Sequence, residues 1–201
     1  TALWAMMLTF SGMNVFDAVT HSMTTLATGG YSTRTASIGA FDSVVIEWVI
    51  IVGMIVGSLP FAHYLAMVRG GWRGLLHDPQ VRWFLILIFG LVLMLCWHLM
   101  QNGLGLGEAI RQASFNGVSI ITGTGYVSAN FSAWGGFATT ILLIVMFIGG
   151  CGGSTTCGIK VFRLQVLAGT VKVQISRLLR PHAVVLAYYN KRPVSGEVMD
   201  S

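Results

Sequence analysis

The sequence predicts an all-α integral membrane protein, built from parallel repeats of membrane helix, pore half-helix, filter loop and membrane helix. Three observations lead to this prediction: a low charge content, apolar segments of membrane length, and an internal repeat. Of the 201 residues, 54% are hydrophobic and only 9% are charged, whereas soluble domains carry about 25% charged residues. The composition therefore places the chain in a lipid bilayer.

Three apolar segments are candidates for membrane helices. Residues 43–68 form a long stretch that is interrupted by glycines and by Pro60, and residues 83–100 form an uninterrupted one. Residues 137–151 are shorter and run directly into "GGSTTCGIK". A membrane helix needs about 20 residues, so the opening run "TALWAMMLTF" is too short to span. We expect the sequence to begin inside a helix.

Two further apolar segments are too short to cross. Residues 14–27 and 108–121 contain 14 residues each, or roughly 21 Å of helix against a hydrocarbon core of roughly 30 Å. Asp17 and Glu108 lie near their starts, where an acidic side chain favours a helix N-terminus. These segments are predicted to be half-helices that enter the membrane and return to the same side.

An internal repeat appears when the sequence is shifted along itself by 96 residues without gaps. Between residues 28 and 58 this shift gives nine identities in 31 positions, concentrated at glycines. Two membrane crossings separate the copies, so the repeat is predicted to be parallel rather than inverted. The identical pairs are Thr28/Thr124, Gly29/Gly125, Ser32/Ser128, Gly39/Gly135, Phe41/Phe137, Val49/Val145, Gly53/Gly149, Gly57/Gly153 and Ser58/Ser154.

The repeat defines the predicted domain organisation. The predicted units are a pore repeat truncated at its N-terminus (1–69), a cytoplasmic linker (70–82), a second pore repeat with a broken last helix (83–165) and a second cytoplasmic linker (166–201). Ten of the twelve Lys and Arg residues fall on the linker side of the membrane, and only Arg34 and Arg111 fall on the other. The positive-inside rule makes the linker side cytoplasmic. The net charge of +5 thus reflects topology, and no nucleic-acid partner is predicted.

The segment "LATGGYSTR", residues 26–34, is polar and glycine-rich between apolar segments. Non-helical backbone at membrane depth is tolerated only where it is buried in protein or lines a water-filled path. Glycines at 29 and 125 permit a left-handed backbone, and a ring of backbone carbonyls can replace the hydration shell of K⁺. The predicted K⁺-binding filter consists of Thr28, Gly29, Gly30, Thr124, Gly125 and Tyr126.

The segment "GGCGGSTTCG" follows the short apolar run of the second repeat. Each glycine costs about 1 kcal/mol in a helix interior relative to alanine, so we expect a break near mid-membrane that acts as a gate. "GMIVGSLP" in the first repeat has fewer glycines and a proline, and it is expected to bend without forming a plug. The predicted gating loop consists of Gly149, Gly150, Gly152, Gly153, Ser154, Thr155, Thr156 and Gly158.

Other interpretations of this segment stay open at this point. Its small residues suit a helix-packing surface, as expected for a non-conducting membrane assembly subunit with glycine-mediated helix packing. The spacing of Gly153 and Gly158 approaches that of a phosphate-binding loop, but Ile159 stands where that motif has lysine. Cys151 and Cys157 lack further metal ligands nearby. No carboxylate pair or nucleophile–base set indicates an enzyme.

Several segments resemble a known family. "TLATGGYSTR" and "ITGTGYVSANF" resemble the filter segments of the Trk/Ktr/HKT superfamily of potassium transporters. "FIGGCGGSTTCGIKVFRLQVL" resembles the glycine-rich broken helix of its TrkH branch, and "RLLRPHAVVLAYYNKRPV" resembles the cytoplasmic linker that follows. The family pore has four repeats in one chain, and this sequence would match the second and third.

The resemblance implies potassium uptake across a cell membrane, in bacteria the inner membrane, by a multi-pass homodimer. It also implies a cytosolic nucleotide-binding regulatory subunit of the TrkA type, K⁺ as the only cofactor-like ion, and no organic cofactor. Lys160 and Arg163 follow the gating loop and are expected to connect it to that regulator. The sequence does not distinguish K⁺ from Na⁺ preference, or a channel from a symporter.

Overall fold

The computed structural model of the protein describes residues 1–69, 73–179, 188–189 and 192–193. Helices account for most of these residues, and two short strands form an antiparallel pair towards the end of the chain. Two 3-10 helices, Ser37–Phe41 and Phe131–Trp134, lie in the loops. The other elements are α1 (Ala2–Phe10), α2 (Val15–Leu26), α3 (Val44–Gly57), α4 (Phe61–Val68), α5 (Arg73–His77), α6 (Pro79–Gln101), α7 (Leu106–Ile121), α8 (Gly136–Met146), α9 (Val161–Leu179), β1 (Tyr188–Tyr189) and β2 (Arg192–Pro193).

The same series of elements occurs twice. In the first repeat α1 and α2 precede the pair α3 and α4, and in the second α6 and α7 precede the pair α8 and α9. In each repeat the first helix packs against the half-helix that follows it, and α3 of the first repeat packs against α7 of the second. The predicted all-helical fold class is confirmed, and the two repeats share one apolar core.

Among the described residues, one helix is by itself long and apolar enough to cross a membrane. This is α6, with 23 residues, which contains the predicted span 83–100. Helices α3 and α4 meet the same criterion together but are bent by 93° at the break between them. Pro60 accounts for the break, because proline lacks the N–H that would continue the helix and disfavours helical backbone before it. The bend predicted for the first repeat is confirmed.

Both predicted half-helices are present and short. Helices α2 and α7 contain 12 and 16 residues, or roughly 18 and 24 Å, less than a bilayer core of roughly 30 Å. The side chain of Asn14 caps α2, accepting a hydrogen bond from a backbone amide three residues on at 2.7 Å. Both helices end alike, because the caps Ala27 and Thr122 are followed by left-handed residues, Thr28 and Gly123.

The last helix of the second repeat is shorter than predicted. Helix α8 ends at Met146, five residues before the expected end at residue 151. After it, the amide of Gly149 donates to the carbonyl of Ile159, and the amide of Ile159 donates to the carbonyl of Phe147, both at 2.9 Å. Extended backbone pairing thus satisfies groups that a helix would otherwise satisfy. The helix resumes at Val161, close to the predicted position.

Two helices extend into the segments predicted to be linkers. Helix α6 begins at Pro79, so residues 79–82 form its first turn. Asp78 caps this helix, accepting a hydrogen bond from the Gln80 amide at 2.8 Å, and proline at the first position favours a helix start. Helix α9 continues to Leu179, so part of the predicted linker 166–201 is helical. Of the remaining linker residues, 73–78 are described and include α5, residues 188–189 and 192–193 form the strand pair, and the others lie outside the described part of the chain.

Glycines bring the first repeat together. A Cβ on Gly53 of α3 would lie 2.5 Å from Nε1 of Trp4 and 2.6 Å from the methyl group of Thr25. A Cβ on Gly57 would lie 2.7 Å from the carbonyl oxygen of Leu26. Larger side chains at these positions would separate α3 from α1 and α2. Glycine-mediated helix packing therefore occurs in α3, whereas the non-helical segment 149–158 does not provide it.

Candidate ion pathway

The two predicted filter loops have the same backbone conformation with an offset of 95 residues. In each loop the first amide donates to a carbonyl three residues back, and the second donates to one five residues back. In each loop the first and third residues are left-handed, with φ of 48° and 68° in one and 67° and 84° in the other. The equivalent pairs are Thr28/Gly123, Gly29/Thr124, Gly30/Gly125 and Tyr31/Tyr126.

The ungapped offset of 96 residues is therefore wrong within the filter by one residue. The repeated dipeptide Gly-Tyr, at 30–31 and 125–126, is the sequence signal that would have given the correct register. With an offset of 95, Gly123 becomes the equivalent of Thr28, and the sequence interpretation missed it. An offset of 96 relates Ser32 to Ser128, whose matching contacts are described below.

Each loop presents three consecutive carbonyl groups without a donor. Within the described part of the chain, no N–H or O–H group donates to the carbonyl oxygens of residues 28–30 or 123–125. The next carbonyl is bound in both loops, because a hydroxyl of the preceding half-helix donates to Tyr31 at 3.1 Å and to Tyr126 at 2.7 Å. Tyr126 therefore adjoins the free carbonyls, and its own carbonyl faces α7.

The two loops contact each other at Gly30. A Cβ on Gly30 would lie 1.8 Å from the carbonyl oxygen of Thr124, so the second loop occupies the space that a side chain would need. The sequence predicts that Gly29 and Gly125 permit left-handed backbone. Gly125 has a φ of 84°, whereas Gly29 is not left-handed and a Cβ there would make ordinary contacts. Substitution at Gly30 is therefore more disruptive than substitution at Gly29.

The side chain of Tyr126 connects the repeats. It is 1% exposed, and its hydroxyl lies in hydrogen-bond contact with the Thr24 hydroxyl and 3.5 Å from that of Thr25, both on α2. The equivalent Tyr31 of the first loop is 77% exposed. The second loop is thus supported by the half-helix of the preceding repeat, and the first loop has no such support from the described residues.

Arg34 and Arg111, the two basic residues away from the predicted linkers, both form ion pairs at the half-helices. Arg34 donates to the buried Asp17 carboxylate at 2.8 Å, and Thr33 donates to the same carboxylate at 2.6 Å. These hydrogen bonds, that of Thr33 first, lower the pKa of Asp17. Arg111 of α7 binds both oxygens of Glu47 in α3, at 2.7 and 2.9 Å. The first pair lies within one repeat, whereas the second joins the two repeats.

The predicted gating loop is a folded segment on the first repeat. The amide of Cys151 donates to the carbonyl of Ser58 at 3.1 Å, and the amide of Phe61 donates to the carbonyl of Gly153 at 3.0 Å. Cβ atoms on Gly149 and Gly150 would lie 2.1 Å from the Cys157 carbonyl oxygen and 2.7 Å from the Thr156 hydroxyl. The glycines therefore allow close backbone contact within the loop, in addition to ending the helix.

Thr155 connects the loop to the first filter. Its hydroxyl lies 3.1 Å from the carbonyl oxygen of Leu26, the last residue of α2, and 2.9 Å from that of Gly57. The hydroxyl of Thr28 lies 3.3 Å from it. The loop thus lies directly beside the start of the first predicted filter loop, where α2 ends.

Lys160 and Arg163 occupy different environments. The Lys160 ammonium donates to the carbonyl of Thr156 and lies 3.1 Å from the hydroxyl of the same residue, so it binds the gating loop directly. Arg163 is exposed on the first turn of α9. A connection that the sequence did not indicate comes from Gln80 of α6, whose side-chain oxygen accepts a hydrogen bond from the Gly152 amide at 2.9 Å.

The described residues form no metal site at either cysteine of the loop. In the described ranges, no three His, Cys, Asp or Glu side chains are grouped so that they could bind a metal ion. Cys151 is buried and Cys157 is exposed, and both are free thiols. The geometry around them is that of small side chains in a compact loop.

Comparisons with known proteins agree with this architecture. The sequence profile of the family described as TrkH, cation transport protein, matches residues 4–201. The Trk system potassium uptake protein TrkI of Halomonas elongata is 37% identical over 98% of this chain and 40% of its own length. TrkH of Escherichia coli K12 is 33% identical over the whole chain and 42% of its own length. The chain therefore spans about two fifths of the curated relatives it matches.

A solved structure gives the same result. The crystal structure of the potassium transporter TrkH from Vibrio parahaemolyticus matches 99% of this chain and 44% of its own chain, with a TM-score of 0.90 and 33% sequence identity. The relatives are membrane transporters and not enzymes. The paired half-helices and the two glycine-containing loops agree with these matches. The chain belongs to the TrkH family of cation transport proteins.

Proposed function

We propose that the protein takes up potassium through a pore to which this chain contributes two of four filter loops. The observation that supports this most directly is the pair of contacting loops, each with three consecutive carbonyl groups without a donor. Dehydrated K⁺ is bound by such carbonyl rings. Both loops follow the C-terminal ends of α2 and α7, where the helix dipole is partially negative and favours a cation. The proposed ligands are the carbonyls of residues 28–30 and 123–125, and Tyr126 adjoins them.

The contrast between the two tyrosines supports four loops. Tyr126 is buried against the half-helix of the preceding repeat, and the equivalent Tyr31 is largely exposed. A ring with fourfold pseudosymmetry would cover Tyr31 with the half-helix of a further repeat. The relatives are more than twice as long as this chain, which leaves room for two more repeats. Reconstituted alone, residues 1–201 should therefore give no K⁺ current, and a robust current would contradict the proposal.

The gating loop is proposed to close this pore from the inner side. It lies beside the inner end of the first filter loop, through the contact between Thr155 and Leu26. Lys160 binds the loop from the position just before α9, and Arg163 is exposed. We propose that movement of α9 displaces the loop through Lys160. A homodimer in the inner membrane, regulated by a cytosolic nucleotide-binding subunit of the TrkA type, completes the proposal.

Substitution of Gly30 tests the filter assignment. In the full-length protein, Gly30→Ala should reduce the preference of uptake for K⁺ over Na⁺, because its Cβ would collide with the Thr124 carbonyl. Gly103→Ala is a matched control, since Gly103 is also left-handed, with a φ of 89°, but has open space around its Cβ. Rb⁺ uptake with Na⁺ competition measures the ratio.

The outcomes separate the candidate functions. A lower selectivity ratio in Gly30→Ala but not in Gly103→Ala supports the filter. Unchanged selectivity and kinetics in Gly30→Ala would exclude the assignment of these carbonyls. If the intact protein gives no ion-dependent flux at all, the alternative of a non-conducting membrane assembly subunit is favoured, and the glycines of α3 would then have only their packing role.

A further inference from the structure

Two fully buried polar side chains lie behind the filter loops at equivalent positions. His21 of α2 and Asn116 of α7 are separated by 95 residues, the offset that relates the two half-helices, and both are 0% exposed. Each side chain contacts the backbone carbonyl four residues earlier in its own helix, and each also contacts a serine that follows its filter loop. Burying a polar side chain costs free energy unless it is hydrogen-bonded. The hydrogen-bonding groups of both side chains have partners here.

The contacts of His21 define the tautomer of its neutral ring. Nδ1 lies 2.7 Å from the carbonyl oxygen of Asp17, which can only accept, so Nδ1 carries the proton. Nε2 lies 2.9 Å from the Ser32 hydroxyl, and in the neutral ring it accepts the hydroxyl proton. The amide of Arg34 donates to the same hydroxyl at 3.1 Å. A continuous chain of hydrogen bonds thus runs from residues 32–34, the segment that follows the first loop, to α2.

Asn116 makes the equivalent connection with an amide. Its Nδ2 donates to the Gln112 carbonyl at 3.0 Å and to the Ser128 hydroxyl at 3.1 Å. Its Oδ1 accepts a hydrogen bond from the Ser128 amide at 3.3 Å. The segment that follows the second loop is therefore held to α7 at the position equivalent to the one at which the segment after the first loop is held to α2.

His21 additionally contacts the second loop. Its ring lies edge-on to Phe41, with 5.4 Å between centroids, and 5.9 Å from the ring of Tyr126. The Tyr126 hydroxyl approaches the His21 carbonyl at 3.4 Å. A single imidazole therefore contacts the segment that follows one filter loop and the tyrosine of the other loop.

We propose that His21 and Asn116 are positioning residues that set the ion selectivity of the pore, with His21 coupling the two loops. Neither side chain contacts the proposed ion path, and each acts through the segment after the filter loop that it holds in place. This inference rests on the proposed filter function. Filter carbonyls select by position, and small displacements in a preorganised site have large effects. The second repeat uses an amide for the same task, so asparagine should replace histidine at position 21 better than an apolar side chain.

The experiment compares four single variants and one double variant in the full-length protein, using Rb⁺ uptake with Na⁺ competition in cells. His21→Leu removes both hydrogen bonds, Ser32→Ala removes the partner hydroxyl, and His21→Asn reproduces the chemistry of the second repeat. Thr20→Val is the control, because the Thr20 hydroxyl bonds only to its own helix, at the Phe16 carbonyl.

The preference for Rb⁺ over Na⁺ should fall about tenfold in His21→Leu and in the same direction in Ser32→Ala. His21→Asn should stay within about threefold of wild type, and Thr20→Val should not change. The double variant His21→Leu with Ser32→Ala should resemble His21→Leu alone, because both changes break one connection. If His21→Leu does not reach the membrane, Ser32→Ala gives the decisive measurement.

The result that overturns the proposal is an unchanged ratio in His21→Leu, or in Ser32→Ala where His21→Leu is not produced. A lower maximal rate at a constant ratio would show a role in folding alone and would equally overturn it. Gly30→Ala keeps the two hypotheses apart. If Gly30→Ala loses selectivity and the His21 and Ser32 variants do not, the filter stands and the positioning role is wrong. If none of them changes selectivity, the filter assignment is wrong.

Discussion

The last membrane helix of each repeat is broken, but the two breaks differ in length and in their contacts. In the first repeat three residues, 58–60, separate α3 from α4, and in the second fourteen residues, 147–160, separate α8 from α9. Proline makes the first break by removing one hydrogen-bond donor, which bends the chain by 93°. Glycines make the second break by permitting backbone contacts that a Cβ would prevent. A proline thus produces a corner, whereas a glycine-rich segment produces a separate folded loop.

The half-helices show a second contrast. Asp17 of α2 has several partners within its own repeat, including Thr33 and Asn14 as well as Arg34. Glu47 of α3 has Arg111 of the other repeat for both of its oxygens. The carboxylate of the first half-helix is therefore held by several groups of its own repeat, whereas the buried Glu47 carboxylate is held by the arginine of the second half-helix, across the two repeats. The predictions below test these two contrasts.

The largest difference should come from the two arginines. Arg111→Met would leave the Glu47 side chain, 3% exposed, as an unpaired buried carboxylate, and we expect a loss of about 3–5 kcal/mol. Arg34→Met removes a partly exposed arginine from a carboxylate that keeps other donors, and should cost about 1 kcal/mol. Thermal unfolding of the full-length protein in detergent measures both.

Equal losses in the two variants would contradict the contrast between local support and support between repeats. The double variant Glu47→Leu with Arg111→Met sharpens the test, since removing both charges should recover much of the stability lost in Arg111→Met. A double variant as unstable as the single one would show that the pair is not the source of the loss.

Glycine substitutions test the second break. Gly149→Ala should lower the free energy of unfolding by about 1–3 kcal/mol through overpacking, because the new Cβ would lie 2.1 Å from the Cys157 carbonyl oxygen. Gly90→Ala, in α6 where a Cβ meets open space, should be neutral or stabilising by up to about 1 kcal/mol. The measurement is again thermal unfolding, and a neutral Gly149→Ala would mean that the loop does not have this compact form.

Deletion of residues 152–158 tests whether the second break is the gate. In the full-length protein we expect basal K⁺ flux to rise at least about tenfold, equivalent to about 1.4 kcal/mol of barrier, and to depend less on the regulatory subunit. Pro60→Ala in the first break is the matched control and should change flux by less than about twofold. Rb⁺ flux into proteoliposomes measures both. Wild-type flux in a deletion variant that folds would show that the loop is only a packing element.

The smallest effect should come from one hydroxyl of the loop. Thr155→Val removes the contacts with the Leu26 and Gly57 carbonyls, worth about 0.5–1.5 kcal/mol in total, and should raise basal flux a few-fold without changing selectivity. Thr139→Val removes a hydroxyl that bonds within its own helix, to Gly135, and should leave flux unchanged. Equal flux in Thr155→Val and wild type would show that this contact does not hold the gate closed.

The sequence predicted the elements whose causes are local. The two half-helices, the span within α6, the bend at Pro60 and the broken last helix of the second repeat all follow from length, hydrophobicity, proline and glycine. These properties act over a few residues, so they can be recognised without knowledge of the fold. The nine identities of the ungapped repeat also located both proposed filter loops, although with a register error of one residue within them.

Only the tertiary structure decided how the two repeats meet. Three contacts show this: the Thr124 carbonyl lies against Gly30, Thr155 lies against the end of α2, and Arg111 binds Glu47. The residues in these contacts are 64 to 129 positions apart in the sequence. Such contacts depend on the relative placement of whole helices, which no local pattern encodes. The early end of α8 has the same origin, because the backbone of residues 147–149 gains its partner from Ile159 only once the loop has folded back. Composition and spacing thus determined what each segment forms, and packing determined which atoms each segment presents to the proposed ion path.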